Sequence, residues 1–423
     1  MIFNQNKLLL NILSILFISI PLLLITGPFL PDLSVVIITI SFLVLAYNKK
    51  DFKFFSNIYF KLFIIICFFL TLVSILTENI ASIKSSIFYF RFGIFALFAS
   101  YLINNNQNIL KNLLYIFFFI YSFLFADTLY QYFFYKNIFG FVHEYGSNFR
   151  ITSIFGDDEV LGSYTARFFP LLLFLIICNS SFDISRKFWF LIIVIITVIA
   201  FTIVLLSGER TSVGLFILSF IFIFFSSINF RKVFLIPLIT IILVFVFFIS
   251  SSEKVKNRVI TQTINQMGLN AESERIVLFS KTYEGHYLIS YNMFKEKPLV
   301  GHGAKMFRFY CIKEENFVAH NACTTHPHNF YAQMLAESGI VGFVILMGIF
   351  MSTCYLFIRN LYFQIYKKKQ LITDQAIFLL SFYFMTLFPL LPSGNFFNNW
   401  LSIIIYYPLG FLIYTINAKK FYV

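Results

Sequence analysis

The sequence predicts an all-α, polytopic integral membrane protein with about twelve transmembrane helices. Hydrophobic residues fill 59% of the 423 positions, charged residues fill 12%, and 62 residues are Phe. A soluble globule of this size needs more polar surface than such a composition provides. The formal charge is +13, but the basic residues lie mostly in short segments between apolar runs. This distribution is typical of membrane topology, so we expect lipid as a partner and no nucleic acid.

Twelve charge-poor apolar cores, each close to the length that crosses a bilayer, recur along the chain. The first has no small-x-small cleavage site and is longer than the apolar core of a usual signal peptide, so we interpret it as an uncleaved span. We divide the chain into residues 1–249 with nine spans, a long loop at 250–339, and residues 340–423 with three spans. The cores are 8–25, 33–47, 62–76, 87–103, 113–134, 160–178, 188–206, 213–228, 233–249, 340–358, 376–391 and 401–416.

The basic residues are concentrated in alternate connections, which predicts the orientation of the spans. Cytoplasmic connections carry an excess of Lys and Arg, whereas long translocated segments are exempt from this rule. Both termini are therefore predicted to be cytoplasmic, and the loop at 250–339 to face the periplasm of a bacterial inner membrane. The residues on the cytoplasmic side are Lys7, Lys49, Lys50, Lys53, Lys61, Lys111, Arg186, Lys187, Arg231, Lys232, Arg359, Lys367, Lys368, Lys369, Lys419 and Lys420, and the opposite short connections hold Lys84, Lys136, Arg150 and Arg210.

Three charged residues, Arg91, Asp127 and Arg167, interrupt apolar spans in the half predicted to face the periplasm. Charges at such depth usually face the inside of the bundle and mark functional sites. One interpretation is that Asp127 pairs with Arg167 or Arg91 and holds helices together. The other is a cationic recess that opens to the periplasm.

The turn at 207–212, Ser-Gly-Glu-Arg-Thr-Ser, joins two spans with almost no loop and places Arg210 at the membrane surface. A guanidinium on such a short connection is suited to binding a phosphate. The alternative is a snorkelling side chain that pairs with Glu209. A second polar, glycine-containing stretch at 150–162 precedes the sixth span.

The long loop ends in the most informative group of motifs. Pro298, Gly301 and Gly303 form a Pro-x-x-Gly-x-Gly element, and the segment after Cys323 contains His328 and Asn329. Pro327 suits the first turn of a helix, so we expect His328 and Asn329 at the positive N-terminus of a helix that continues into the tenth span. An anion would be stabilised there, and the imidazole of His328 would stay neutral and able to act as a general base. The helix also carries Glu337, and Gly339 and Gly342 would allow it to pack closely.

Two other properties of this loop concern its histidines and cysteines. His302, His320, His326 and His328 are conceivable metal ligands, but no well-spaced carboxylates or thiolates accompany them, so we predict no metal site and no cofactor. Cys311 and Cys323 share the polar loop and would form a disulfide on the oxidising side of the membrane.

His328 and Asn329, followed after nine residues by Gly339 and after two more by Gly342, resemble the signature of the O-antigen ligase and polymerase superfamily. The stretch at 150–162, the turn at 207–215 and the element at 298–303 are similar to three further family segments, in the same order. The resemblance implies a C-type glycosyltransferase fold and a metal-independent, inverting transfer. The donor would be a glycan on undecaprenyl diphosphate, and the acceptor a hydroxyl of lipid A core or of a nascent glycan.

Transferred residue by residue, the resemblance implies that His328 activates the acceptor hydroxyl and that Arg210 binds the donor diphosphate. This chain departs from the family upstream of Pro298, where a second Arg is usual and the sequence reads Lys281-Thr-Tyr-Glu-Gly-His286-Tyr. His286 is our first choice to replace that contact. Lys281 and Arg275 are alternatives from the same loop, and Arg91 and Arg167 are alternatives from the membrane.

Two questions of function stay open at this point. A ligase and a polymerase share donor chemistry and differ in the acceptor, and we favour the ligase. A transporter or flippase of lipid-linked glycans would also explain the hydropathy and the intramembrane charges. The sequence has no internal repeat and no matching pair of broken helices, which are typical of such transporters.

Overall fold

The computed structural model describes residues 2–142, 150–180, 186–269, 277 and 280–423. Within these ranges the chain is helical apart from turns, loops and one isolated bridge between Ile372 and Tyr422. The helices of the first half are α1 (Ile2–Leu23), α2 (Phe29–Lys49), α3 (Ile58–Ile75), α4 (Ile80–Ile87), α5 (Phe90–Asn105), α6 (Asn108–Phe134), α7 (Leu161–Asn179) and α8 (Arg186–Leu206). Those of the second half are α9 (Arg210–Ser226), α10 (Ile228–Ser251), α11 (Glu253–Lys256), α12 (Gln262–Gln266), α13 (Lys281–Glu296), α14 (Phe307–Tyr310), α15 (Phe330–Lys367), α16 (Asp374–Thr386) and α17 (Asn399–Asn417).

The predicted class, an all-α polytopic membrane protein, is confirmed. In the described part of the chain, ten helical stretches are long and apolar enough to cross a membrane. Each of the twelve predicted cores overlaps a helix, but the core at 376–391 extends beyond the end of α16, and α9 has 17 residues and α16 only 13. The number of twelve crossings therefore stays a prediction for these two helices.

Hydrogen bonds at the two ends of α16 join it to different neighbours. Asp374, at the start of α16, accepts hydrogen bonds from Ser227 Oγ at 2.5 Å and Asn229 Nδ2 at 2.9 Å. Beyond its other end, the carbonyl of Leu387 accepts a hydrogen bond from Tyr331 Oη at 2.6 Å, next to the start of α15. A helix of 13 residues is about 20 Å long, so α16 alone is shorter than the hydrocarbon core of a bilayer, which is about 30 Å thick.

Close helix packing and aromatic rings form the interior. A Cβ atom on Gly410 of α17 would lie 2.3 Å from the Cβ of Ala99 on α5, so only glycine allows these helices to approach as they do. Phe17 stacks on Tyr407 with ring centroids 4.7 Å apart. The hydroxyl of Tyr407 donates to the carbonyl of Phe17 at 3.2 Å, which satisfies a polar group in an apolar interior.

The intramembrane charges do not pair as one interpretation had it. Asp127 is fully buried at the end of α6, and its carboxylate accepts hydrogen bonds from Ile138 N at 2.7 Å and from Ser153 Oγ. Arg91 instead forms an ion pair with Asp32 of α2, with Nη2 and Oδ1 2.8 Å apart. Asp127 thus anchors the chain that leaves α6, and the expected pairing with Arg91 or Arg167 is wrong because backbone and hydroxyl donors occupy its oxygens.

The segment predicted as a loop at 250–339 is largely helical where it is described. It contains α11 to α14, a π-helical turn at Asn257–Thr261, and the first turns of α15. Helix α15 begins at Phe330, so Pro327 precedes it and does not occupy its first turn, contrary to the sequence-based expectation. The helix is interrupted at Gly339, whose φ of 63° and ψ of −161° are not helical. This break coincides with the predicted start of the tenth span.

Candidate active site

The Pro-x-x-Gly-x-Gly element packs directly against the break in α15. Gly303 N donates to the carbonyl of Glu337 at 2.8 Å, and Ile340 N donates to the carbonyl of Pro298 at 2.8 Å. A Cβ on Gly301 would lie 2.5 Å from the carbonyl carbon of Glu337, and one on Gly339 would lie 2.5 Å from that of Leu299. The two glycines therefore let two backbones touch, and they fix the position of the first turns of α15.

A buried polar network holds the same turns. The carboxylate of Glu337 accepts hydrogen bonds from Phe307 N and Lys305 N, both at 3.0 Å, and from Gln333 Nε2 at 2.9 Å. Gln333 Nε2 also donates to Asn395 Oδ1 at 2.9 Å. Since Asn395 lies between α16 and α17, the network links three parts of the site, and fully satisfied networks of this kind are rigid.

His328 is presented by a conformation that is unusual for a side chain other than glycine. Its φ is 51°, and its carbonyl accepts a hydrogen bond from Ser393 N at 2.9 Å. Asn329 caps α15 through hydrogen bonds from Tyr331 N and Ala332 N, and its own amide donates to the carbonyl of Pro389 at 2.8 Å. Residues in such regions of φ and ψ persist only when their surroundings enforce them, and here the 387–398 segment does so.

Three imidazoles meet at this point. The ring centroid of His328 lies 4.1 Å from that of His326 and 5.2 Å from that of His286. Burial, with a smaller contribution from His286, lowers the pKa of His328 to about 4. Burial and the neighbouring His328 lower the pKa of His326 to about 3. The cluster is therefore uncharged at neutral pH, and His328 can accept a proton.

His286, our first choice for the second phosphate contact, lies against His328. It is 1% exposed, and its Nδ1 lies 2.6 Å from the carbonyl oxygen of Ala322. Because a carbonyl only accepts, Nδ1 carries the proton, and burial lowers the pKa of the ring. A neutral imidazole has no charge to offer a phosphate, although it can still form a hydrogen bond.

Cys311 and Cys323 are joined by a disulfide in the structure, with Cα atoms 5.2 Å apart. The bond closes the loop immediately before the histidine segment. Next to it, Ala322 packs so tightly on α13 that a Cβ on Gly285 would lie 2.6 Å from the Cβ of Ala322. Helix α13 and the disulfide together limit the movement of the chain that leads to His326 and His328.

The turn at 207–210 is tied to the start of α7. Glu209 accepts hydrogen bonds from Gly162 N at 2.6 Å, Ser163 N at 3.1 Å and Ser212 Oγ at 2.9 Å. A carboxylate at a helix N-terminus satisfies free N–H groups and is stabilised by the helix dipole. Arg210 donates instead to Thr263 Oγ1 at 3.1 Å and to Gln266 Oε1 at 2.5 Å. The interpretation of Arg210 as a snorkelling partner of Glu209 does not describe this geometry.

Three guanidinium groups gather beside this turn. Burial lowers the pKa of Arg258 to about 10, and the positive charges of Arg150 and Arg210 contribute to this shift. The Nε of Arg258 donates to the carbonyl of Gly208 at 3.0 Å, and Nη1 donates to Gln262 Oε1 at 2.6 Å. Tyr283 lies within electrostatic range of all three arginines, and its ring centroid is 5.7 Å from that of His328. The arginine cluster and the histidine cluster are thus neighbours.

A recess of about 630 Å³ adjoins the histidine cluster. Arg167, Arg308 and His326 line it, and Trp400 and Leu401 belong to its apolar lining. Arg167 is only 3% exposed and donates to Ser163. Part of the cationic recess expected from the intramembrane charges is therefore present, with Arg167 as its buried member.

The sequence did not single out several residues of this site. Arg258 and Arg308 are two of many basic residues in the long loop, and nothing in their spacing distinguishes them. Tyr283 lies in the stretch that replaces the family's second Arg, but the sequence did not predict a role for it. Arg275, an alternative for that contact, lies outside the described residues. Among the residues that are described, no set of three His, Cys, Asp or Glu side chains is arranged to hold a metal ion.

Residues 195–347 match the family model described as O-antigen ligase. The matched range contains Arg210, Arg258, Tyr283 and His328 and ends within α15. The fold thus defines a polytopic membrane protein, part of which matches the O-antigen ligase family model. The resemblance to the O-antigen ligase and polymerase superfamily, inferred from the His328 signature, is confirmed by this match. No curated protein matches the chain in sequence.

Proposed function

We propose that the protein is an O-antigen ligase-like glycosyltransferase of the inner membrane that transfers a glycan from undecaprenyl diphosphate to an acceptor hydroxyl at the periplasmic face. The transfer is metal-independent and inverts the configuration at the anomeric carbon. The preferred acceptor is lipid A core. A polymerase that extends another lipid-linked glycan would use the same donor chemistry.

The observation that supports this proposal most strongly is the placement of three guanidiniums beside a neutral histidine. Arg150, Arg210 and Arg258 repel one another, so an anion bound among them is stabilised by each. His328 lies across Tyr283 from this cluster and is uncharged at neutral pH. An inverting transfer needs cations that bind the diphosphate leaving group and a neutral base on the other side of the donor sugar. The arginine cluster and His328 can supply these two functions.

The reaction follows from these positions. The oxygen of the acceptor hydroxyl attacks the anomeric carbon of the donor sugar, and the bond between that carbon and the phosphate oxygen breaks. The electron pair of this bond leaves with undecaprenyl diphosphate, whose negative charge the arginines stabilise. The hydroxyl proton passes to His328, which becomes an imidazolium and later releases the proton to water.

Within this proposal Arg210 and Arg150 contact the diphosphate, and Arg258 positions the turn that carries Arg210. Arg150 takes the place we first gave to His286, because it carries a charge and His286 does not. In the structure Arg150 forms an ion pair with Glu159, which a diphosphate would replace. His286 orients His328 by packing against it. Arg91 is engaged by Asp32 and supports α2 and α5 at the edge of the site, and Arg167 belongs to the recess.

The test is transfer in vitro from a defined glycan on undecaprenyl diphosphate to lipid A core, with the purified protein in lipid nanodiscs. We expect His328→Ala to lower kcat by about 10²–10⁴-fold, as the loss of a general base does. We expect Arg210→Ala to lower kcat/KM by about 10²-fold through lost charge stabilisation. Arg359→Ala, which removes an arginine far along α15, serves as the matched control.

Correctly inserted His328→Ala and Arg210→Ala proteins that transfer at the control rate would overturn the proposal. The product separates the two acceptors, because a ligase extends lipid A core and a polymerase lengthens the lipid-linked glycan. A flippase is recognised by movement of the lipid-linked glycan across vesicles without any new glycosidic bond.

A further inference from the structure

The recess beside the histidine cluster is distinct from the arginine cluster. None of Arg150, Arg210 and Arg258 lines it. Its volume of about 630 Å³ lies within the range of roughly 300–1,000 Å³ that is usual for small-ligand sites. Two substrates must meet at His328, and the arginine cluster already provides a place for the diphosphate of one of them.

Contact with His326 connects the recess to the proposed base. His326 lines the recess, and its ring centroid is 4.1 Å from that of His328. Tyr283, which faces the arginines, approaches His328 from α13, whereas the recess is bounded by the segments around Leu24, Phe155 and Asn395. A molecule in the recess would therefore reach His328 by a route that does not pass the arginine cluster.

The charge of the recess indicates what it would bind. Arg167 and Arg308 line it with one carboxylate, that of Asp158, and His326 is neutral because burial lowers its pKa to about 3. The Nε of Arg167 is buried and, among the described residues, has no hydrogen-bond partner. A buried guanidinium with an unused donor is costly unless a ligand supplies an acceptor.

Another part of the recess lining is apolar. Trp400 is fixed there, because its Nε1 donates to the carbonyl of Leu24 at 2.8 Å, and Ile25, Phe155 and Leu401 also line the recess. Such a wall fits the face of a sugar ring or an acyl chain, while the arginines fit an anionic substituent. The combination describes an anionic amphiphile.

We propose that this recess is the acceptor subsite, and that it selects acceptor glycans carrying a phosphate or carboxylate, which Arg308 and Arg167 bind. This inference rests on the proposed function, since it assigns the second substrate of the same site. Arg308 lies at the exposed mouth and Arg167 in the interior. An incoming anion would meet Arg308 first and then satisfy Arg167.

Binding can be measured without activity, because the chain has only two Trp residues and one of them lines the recess. In a Trp189→Phe background, the emission of Trp400 reports occupancy. We expect a saturable change with glucose 1-phosphate or with glucuronate and none with glucose. The stronger of the two anionic probes identifies phosphate or carboxylate as the preferred group. An equal response to glucose would overturn the proposal.

The role of Arg308 is tested in the same assay. We expect Arg308→Gln to weaken binding of the stronger anionic probe at least tenfold. Lys313→Gln removes a cation from the same loop, where Lys313 stacks on Tyr310 outside the recess, and it should leave the dissociation constant within about twofold. An unchanged affinity in Arg308→Gln would contradict the assignment.

A donor mimic distinguishes the two possible substrates of the recess. We expect geranylgeranyl diphosphate to leave the binding of the anionic sugar to Trp400 unaffected. Competition that Arg308→Gln abolishes would mean that the recess takes the donor, and the acceptor assignment would fall. In transfer assays Arg308→Gln should raise KM for a phosphorylated acceptor about tenfold and leave KM for the donor unchanged. If no transfer occurs at all, the fluorescence results still decide what the recess binds.

Discussion

At the scale of single residues, the function of His328 depends on its being uncharged. The sequence predicted a neutral imidazole from a position at a helix N-terminus. In the structure His328 precedes the capping Asn329, and burial is the main cause of its lowered pKa. The sequence thus attributed the neutral state to the helix terminus alone, because burial cannot be read from spacing.

This charge state predicts an unusual pH dependence. His328 must be neutral to accept the proton, so activity is present above its pKa and is lost as the pH falls through it. With a pKa of about 4 in the free enzyme, kcat/KM should stay level through pH 6 and fall to about half of its plateau at pH 4. The measurement is initial-rate transfer in nanodiscs between pH 4 and 8.

The bound donor should shift the acidic limb of the pH–rate profile. A diphosphate near His328 favours the imidazolium, so the corresponding decline in kcat should occur at higher pH than that in kcat/KM. Samples held at pH 4 and returned to pH 7 before assay control for irreversible unfolding. A decline of kcat/KM centred near pH 6.5, the ordinary value for histidine, would show that burial does not set the pKa of the base.

At the scale of elements, the break in α15 determines where His328 lies. The sequence predicted close packing at Gly339 from the signature spacing, but it did not predict the change of direction. Nor did it predict that the partner is the backbone of the 298–303 element. A contact between segments so far apart in the chain depends on the complete fold, which local patterns do not specify.

The break leads to a prediction about two glycines of the same helix. Gly339 has φ and ψ in a region that is nearly restricted to glycine, and a Cβ there would lie 2.5 Å from the Leu299 carbonyl. Gly339→Ala should destabilise the protein by at least about 1–3 kcal/mol from backbone strain alone, and it should reduce transfer by displacing His328. Thermal unfolding in detergent and the transfer assay measure the two effects.

Gly348 provides the matched control. It lies further along α15 in helical conformation, and a Cβ there would meet no atom within 4 Å. Gly348→Ala should be neutral or should stabilise the helix by about 0.5–1 kcal/mol, since alanine loses less backbone entropy. If both variants unfolded at the same temperature, the contact between Gly339 and Leu299 would not matter for stability.

At the scale of the whole molecule, hydropathy predicted the positions of the helices well, because the length of a span is fixed by the thickness of the bilayer. Every predicted core overlaps a helix of the described structure, although the core at 376–391 extends past the end of α16 at Thr386. The positions of the intramembrane charges were predicted, but their partners were not. Asp127 accepts a hydrogen bond from Ile138 N, and Arg91 forms an ion pair with Asp32. Partners depend on which helices become neighbours, and alternating charge in the connections contains no information about that.

The remaining question at this scale is whether α9 and α16 cross the membrane. Twelve crossings place Lys232 and Lys368 on the cytoplasmic side, and Lys313 and Leu390 on the periplasmic side, because α16 connects the segments that hold Lys368 and Leu390. If α16 did not cross, Lys368 and Leu390 would lie on the same side. All four side chains are exposed, so each can be replaced by Cys and labelled.

We expect a membrane-impermeant maleimide to label Lys313→Cys and Leu390→Cys in cells whose outer membrane has been opened, and to label Lys232→Cys and Lys368→Cys only after the inner membrane is permeabilised. Cys67, Cys178 and Cys354 are free and are first replaced by Ala, whereas Cys311 and Cys323 are protected by their bond. Labelling of all four variants after permeabilisation controls for reactivity. Protection of Leu390→Cys together with Lys368→Cys in intact inner membranes would refute the crossing by α16 and would place the 387–398 segment, with the His328 it holds, on the cytoplasmic side. The proposed periplasmic reaction therefore depends on this result, because His328 and the loop after α16 are joined by the hydrogen bond from Ser393 N and must lie on one side of the membrane.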